Sequence, residues 1–501
     1  MEKLQNLDIK QLNILEDFIH GKNIFMSGPG GTGKSFLIDI IKDISTKTNK
    51  VCQLTALTGC AALLINAKTI HSWSGVGIIK NDDITHYINK IRKHKKTLNW
   101  IEVDCLVIDE VSMLSKKFFD ILDSIAKKIR KNDKPFGGIQ MILSGDFYQL
   151  PPVNKIKLDT DSSLFCFQSE KWNETFSTIH ILTKIFRQDN KIFSKLLNNI
   201  RIGNITQSNI DILNSRMIPY EGSEIIPTKL FPKIDNVNQI NKYEHDKINS
   251  NGILYRINIV KPSSEEIIEN NITTFDIKQS TDLIMKNNLP IEFKRGDQVI
   301  CTYNISDKIV NGSRGVIIGF NEYPIVKFVD GNILEMKPID IYDNNVPGLY
   351  YKRIPLEYAW ALTIHKCQGM TLDLCIMDLG ENIFEAGQMY VALSRVKSLE
   401  GLYLINFDVN KIKTLQKVKV FYSKYPEKKY DKEERKSEKK RIIKSINEYI
   451  EVNKNKRKPE KEINNDLLHK LKEYRTNKAK EKNISVFCVF SNDTLINIAS
   501  D

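Results

Sequence analysis

Between the apolar run NIFMS (23–27) and a stretch of helical periodicity lies the loop Gly28-Pro29-Gly30-Gly31-Thr32-Gly33-Lys34-Ser35. A loop of this composition needs a strand before it and a helix after it, which commits the surrounding chain to a parallel α/β sheet. Its glycines let backbone N–H groups close around phosphates, Lys34 reaches the β- and γ-phosphates, and the Ser35 hydroxyl ligates Mg²⁺. The helix that follows adds the positive end of its dipole. Three further apolar runs fit the same sheet: VCQLTA (51–56), CLVIDE (105–110) and QMILSGD (140–146). Each reads as a buried strand ending in a turn, with helical patterns between them.

Asp109 and Glu110 close the third of these strands, at the end where open α/β sheets bind ligands. Asp109 is expected to hold Mg²⁺ through water, and Glu110 to act as general base on an attacking water. The fourth strand ends at Asp146, with Gln149 just beyond it. Arg187 in TKIFRQ and Arg395 in YVALSRVKSLEGL are candidates for cations that stabilise a transferring phosphoryl group. Two such arginines from a second α/β lobe would make hydrolysis depend on closure of the lobes.

The rest of the chain divides by pattern. The charged stretch 80–100 interrupts the α/β rhythm and reads as a small insertion. Residues 290–345 are β-rich with glycine turns and fit a small barrel. The α/β pattern returns at 356, and after about 408 the chain becomes Lys/Glu/Asn-rich helix or linker. Charge follows the same division. The whole chain carries +13, which points to a polyanionic partner. Residues 411–501 hold 25 Lys and Arg against 14 Asp and Glu, leaving 49 against 47 for the first 410. No apolar run approaches the ~20 residues of a membrane span. The 8 cysteines are scattered without a CxxC pair, which argues against a zinc ribbon or a disulfide scaffold. A reducing, intracellular setting is expected, with nucleus and cytoplasm both open.

The ordered set GPGGTGKS, TALTGCAA, TIHSW, VIDEVSML, GDFYQLPPV, IFRQ, TIHKCQGMTLD and YVALSRVKSLEGL resembles the motifs of superfamily-1B DNA helicases. It is most similar to the petite integration frequency family, relatives of RecD. The segment 120–140 resembles that family's own signature stretch, and the likeness covers roughly residues 7–408. The resemblance implies two RecA-like P-loop NTPase domains. The first would span 1–185 with a wedge insertion at about 75–100, and the second 186–289 and 346–408. An SH3-like β insertion would take 290–345, a basic linker 409–465 and a helical segment 466–501.

Residue roles follow from the same resemblance. Gln11 would read adenine. The loop Gly28 to Ser35 would hold the phosphates, with Gly369 also at the nucleotide. Ser35 and Asp109 would hold Mg²⁺, and Lys34, Asp109 and Glu110 would keep the tasks argued above. Gln149 would sense the γ-phosphate, and Arg187 and Arg395 would be the two fingers. Thr55, His71, Phe147, Thr363, His365 and Lys366 match positions that line the single-strand path. The cofactors implied are ATP and Mg²⁺. The partners implied are single-stranded and forked duplex DNA, met by a monomeric motor of 5′-to-3′ polarity, in replication, repair, recombination or telomere maintenance. Replication or repair proteins could dock on the tail.

Two other function classes remain open to the residues alone. One is a nucleotide-switched DNA-binding replication scaffold, although a scaffold needs no complete hydrolytic set. The other is an RNA-directed helicase. In the tail, 424–461 reads as a solvated helix and linker or as an electrostatic DNA tether. Residues 466–501 resemble the first half of a helicase-and-RNase-D C-terminal domain. One short helix and a capped stub cannot bury a core, so a fragment or a degenerate module is expected. Removing residues 411–501 is expected to lower the salt sensitivity of DNA binding and to leave DNA-stimulated ATPase activity intact.

Overall fold

The computed structural model describes residues 2–77, 79, 82–93, 96–152, 163–186, 190–221, 227–269, 272–306, 309, 312–343, 346–426 and 431–454, with short pieces between 470 and 478. Six strands, β1 (Ile24–Ser27), β2 (Cys52–Ala56), β3 (Lys68–Thr69), β4 (Cys105–Asp109), β5 (Gln140–Gly145) and β6 (Thr178–Ile181), form the first sheet. Their order is β3-β2-β4-β5-β1-β6, and every pairing is parallel. The central strands β1, β4 and β5 are buried along their whole length, as a sheet covered on both faces requires.

Alternation assigns their side chains to two cores. Ile24, Met26, Cys105 and Val107 pack with the helices Ile9–Ile19 and Lys34–Lys47 on one face. Phe25, Leu106, Ile108 and Met141 pack with the helix Lys116–Arg130 on the other. That helix starts with Ser115 capping Phe118 N–H and buries Phe118, Phe119, Leu122 and Ile125 at helical spacing. The stretch expected as a wedge contains two helices, Ile84–Lys93 and Thr97–Glu102. They pack into this second core through Tyr87, Ile91 and Trp100, and the Trp100 indole donates to Ser74 O.

A second parallel sheet runs Ala361–Thr363, Thr228–Phe231, Cys375–Leu379 and Leu402–Phe407. The helix Lys191–Ile202 and the helix Gln388–Leu393 complete its core. Between these strands lies a five-stranded antiparallel sheet. It extends beyond 290–345, because its edge partner for Gln298–Cys301 is Leu356–Tyr358. The strands Gly252–Tyr255 and Asn258–Val260, outside the expected span, also pair with strands of this region. The β-rich run seen in the sequence was only its contiguous part; strand edges are completed by segments distant in the chain.

The stretch 409–465 is not a linker over its described part. The helix Gln416–Ser423 buries Val418 and Phe421 in the second core of the first sheet. The helix Lys432–Asn453 buries Ile442 and Ile446 against the Ile9–Ile19 helix, and Arg441 holds Glu16 through two hydrogen bonds of 2.7 and 2.9 Å. Its lysines had hidden a narrow apolar stripe, Ile442, Ile443, Ile446 and Ile450. The described residues 411–426 and 431–454 carry 13 basic and 6 acidic side chains, so most of the positive excess sits on packed structure. The segment 466–501 lies almost entirely outside the described residues. Among the described residues, no helix is long and apolar enough to cross a membrane.

Candidate functional site

The phosphate loop joins β1 to the Lys34–Lys47 helix, as its flanks require. Two glycines are fixed by geometry. A Cβ at Gly28 would lie 2.5 Å from Leu182 O, and one at Gly33, where φ is +83°, would lie 2.9 Å from Gln11 Nε2. Thr32 Oγ1 donates to Pro29 O at 2.9 Å and braces the loop from within. Lys34 Nζ donates to Gly28 O and Pro29 O at 2.7 and 3.0 Å. Burial lowers its pKa, against the opposing pull of Asp146, Glu110 and Asp109.

One cavity of about 530 Å³ gathers most of the sequence candidates. Gln11, Gly30, Gly31, Gly33, Lys34, Ser35, Asp109, Glu110 and Gln149 line it from the first lobe. Gly369 and Arg395 line it from the second. Asp109 accepts from Glu110 N–H at 2.9 Å, and burial, then the Glu110 charge, push its pKa up to about 6. Glu110 adopts φ +54°, a left-handed conformation that a non-glycine residue holds at some cost and that recurs at functional sites. Arg395 is fastened to its own lobe by Val391 O, Met370 O and Ser394 Oγ at 2.8, 3.1 and 2.7 Å. Arg187 lies outside the described residues.

The cavity fits Mg²⁺ bound together with a polyphosphate. Ser35 and Asp109 offer hard oxygen ligands on one wall. Among the described residues no cluster of three His, Cys, Asp or Glu side chains could hold a metal alone. Mg²⁺ characteristically takes few protein ligands and completes its shell with phosphate oxygens and water.

Gln11 is 2% exposed rather than a solvated helix end. Its Oε1 accepts from Asp8 N–H and its Nε2 donates to Thr32 O at 3.0 and 3.4 Å, so it ties the helix cap to the phosphate loop. Several residues of the site escaped the sequence reading. Leu7, Ile65 and Phe186 add apolar lining to the cavity, and Phe186 N–H donates to Gly31 O at 2.8 Å. Gln368 reaches across from the second lobe, donating to Glu110 Oε2 at 3.2 Å and Gln149 Oε1 at 3.3 Å. The Tyr390 hydroxyl accepts from Gly30 N–H at 3.0 Å. Gln368 and Tyr390 stand inside motifs already marked, next to Gly369 and five residues before Arg395; their neighbours were the available signal.

The expected strand-binding residues separate. Thr55 is fully buried in β2 and donates to Val107 O at 2.7 Å, so it does not face a groove. Phe147 is core: its ring lies 5.0 Å from Phe25, 4.7 Å from Phe167 and 5.4 Å from Phe421. Both had been placed on the path by their motifs, but the strand alternation and the aromatic cluster turn them inward. His71, Thr363, His365 and Lys366 stay partly exposed. His71 stacks on Phe118 at 4.5 Å, and burial lowers its pKa to about 4. His365 is also lowered by burial, with Glu385 opposing. Thr363 caps Lys366 N–H, and the Lys366 ammonium pairs with Glu357.

Comparison with known proteins places these features. Residues 7–211 match the family described as PIF1-like helicase, and residues 464–501 match the HRDC domain. The ATP-dependent DNA helicase PIF1 of Danio rerio is 35% identical over 429 residues, which cover 84% of this chain and 64% of that protein. The chain thus spans a little under two thirds of that relative's length. The crystal structure of Pif1 helicase from Candida albicans superposes with a TM-score of 0.72 at 32% identity, covering 84% of this chain and 99% of that one. The crystal structure of Bacteroides Pif1 bound to ssDNA gives 0.61 at 26% identity, covering 84% and 97%. With one cavity lined by the phosphate loop and by residues of both parallel α/β lobes, and relatives of this extent, the chain belongs to the PIF1-like helicase family.

Proposed function

We propose that the chain is an ATP-dependent DNA helicase that steps along single-stranded DNA and opens forked duplex. The observation that carries this is the shared cavity: Lys34, Ser35, Asp109 and Glu110 from one lobe face Gly369 and Arg395 from the other. Lys34 leaves its carbonyl partners for the phosphates of ATP, and Glu110 orients the attacking water and takes its proton. Ser35 and Asp109 would hold Mg²⁺, which would neutralise charge at the phosphates when bound. Gln149 senses the γ-phosphate. Gln368 links that sensor to Glu110, so the second lobe bears directly on the water-activating carboxylate. Arg395 stabilises the charge that develops when the lobes close, and Arg187 is assigned the same task on its sequence position alone.

Alternate gripping of the strand by the two lobes turns this cycle into stepping. His71 on the first lobe and Thr363, His365 and Lys366 on the second are the groups assigned to the strand, with Lys366 exchanging Glu357 for a phosphate. Single-stranded DNA in the Bacteroides relative supports that partner, and family membership supports a 5′-to-3′ direction. The test is unwinding of duplexes carrying a 5′ or a 3′ single-stranded tail, with DNA and RNA tails in parallel. Opening of only the 5′-tailed DNA duplex is expected. ATP-dependent opening of RNA alone, or binding without opening, would replace the reading.

A further inference from the structure

Behind the phosphate loop the two lobes are joined by a buried cluster that takes no part in the chemistry above. The strap that leaves the second sheet at Phe407 returns to the first lobe as the helix Gln416–Ser423. There the Tyr422 hydroxyl accepts from Phe147 N–H at 3.1 Å and shares a 2.5 Å hydrogen bond with Ser27 Oγ. Ser27 is the last residue before the phosphate loop, and Phe147 stands two residues before Gln149. One hydroxyl therefore fastens the roots of both loops. Its ring stacks on Tyr148 with centroids 4.9 Å apart and planes 10° apart.

Arg201, from the second-lobe helix Lys191–Ile202, completes the cluster. Its guanidinium lies 4.4 Å from the Tyr148 ring and 5.6 Å from the Tyr422 ring. It grips Asp146 through Nε and Nη2 at 2.7 and 2.9 Å. Thr414 in the strap donates to Arg201 O at 3.3 Å, tying strap and helix together. The second lobe also approaches at Gly387, where a Cβ would lie 2.5 Å from Tyr148 O and 2.7 Å from Gln149 O. A buried ion pair is weak as a source of stability but directional, and this one fixes the second lobe to the strand that carries the sensor.

We propose that Tyr422 is a positioning residue of the nucleotide site: with Arg201 it transmits the placement of the second lobe to the phosphate loop and the Gln149 loop together. The proposal rests on the reading of the cavity as an ATPase site. It is tested on the full chain by steady-state ATP hydrolysis with and without single-stranded DNA, for wild type, Y422F, S27A and the double variant. Tyr422→Phe keeps the ring and its stacking and removes only the hydroxyl. The DNA-stimulated kcat is expected to fall about tenfold, in keeping with the loss of the hydroxyl's two hydrogen bonds, with KM for ATP within about twofold. Ser27→Ala, which leaves the bond from Phe147 N–H, is expected to lower it by a smaller factor, and the double variant to be no worse than Y422F.

Y422F with wild-type stimulated kcat at an unchanged melting temperature would overturn the proposal, as would single effects that simply multiply in the double variant. Should Y422F fail to fold, S27A decides: full stimulation in that variant refutes the linkage, and its loss supports it. Wild type that hydrolyses no ATP would remove the ATPase reading and this proposal with it. An active wild type with unaffected variants would remove this proposal alone.

Discussion

Asp109 and Glu110 are adjacent, yet the fold gives them different surroundings. Burial and the neighbouring charge hold Asp109 protonated to about pH 6, well above its ordinary 3.8. In its proposed role of holding Mg²⁺ Asp109 must be ionised, so protons would compete with the metal below that value. The Mg²⁺ concentration for half-maximal ATPase activity should rise about tenfold per unit as pH falls below 6. The sign for stability is opposite. A raised carboxylate pKa favours the fold below pH 3.8, and that contribution is lost as pH rises through about 6. Without nucleotide, Asp109→Asn should therefore melt higher than wild type at pH 8, with no such gain at pH 4; calorimetry at the two values checks it. At the same scale, Lys34→Ala and Glu110→Gln should abolish unwinding while single-strand binding, followed by anisotropy, survives. Gln368→Ala removes the links across the lobes to Glu110, Ser112 and Gln149 and should lower kcat by about ten- to a hundredfold. Phe147→Ala should cost about 3–5 kcal/mol of stability, read from urea unfolding, because the ring is core rather than a strand contact.

The helix Lys432–Asn453 shows how charge conceals packing. On its outer face the lysines and glutamates read as linker, while Ile442 and Ile446 are fully buried against the Ile9–Ile19 helix. That helix carries Gln11, and Lys439 Nζ donates at 2.9 Å to the carbonyl of Leu7, which lines the cavity. Ile446→Ala should cost about 2–4 kcal/mol in urea unfolding. Ending the chain after 454 should leave a cooperative unfolding transition and DNA-stimulated ATPase activity. Ending it at 410 removes Phe421, Tyr422 and both isoleucines, and should yield a protein that unfolds at lower denaturant or does not fold. This replaces the expectation that everything from 411 onward is dispensable to the motor.

At the scale of the molecule, the net +13 divides differently from the way the sequence suggested. Residues 455–501 hold 10 basic and 7 acidic side chains, so their removal takes away little charge. If this segment makes no phosphate contacts, the slope of log binding constant against log salt for DNA should then stay within about 1 of the full chain's. A larger fall would show that this segment binds DNA in its own right. The phosphate loop, the Asp109-Glu110 pair and the alternating strands were legible in the sequence. Each depends on contiguous residues and on the local periodicity of a strand–loop–helix unit. Gln368 between Glu110 and Gln149, and Tyr422 beneath Ser27, were not legible: 258 and 395 residues separate those partners. The inward turn of Thr55 and Phe147 was equally hidden, since a motif names a residue and not the face it presents. Local sequence determined which chemistry the chain carries; only the folded arrangement of the lobes decided which side chains share it, because contacts between distant segments exist only once both lobes have packed.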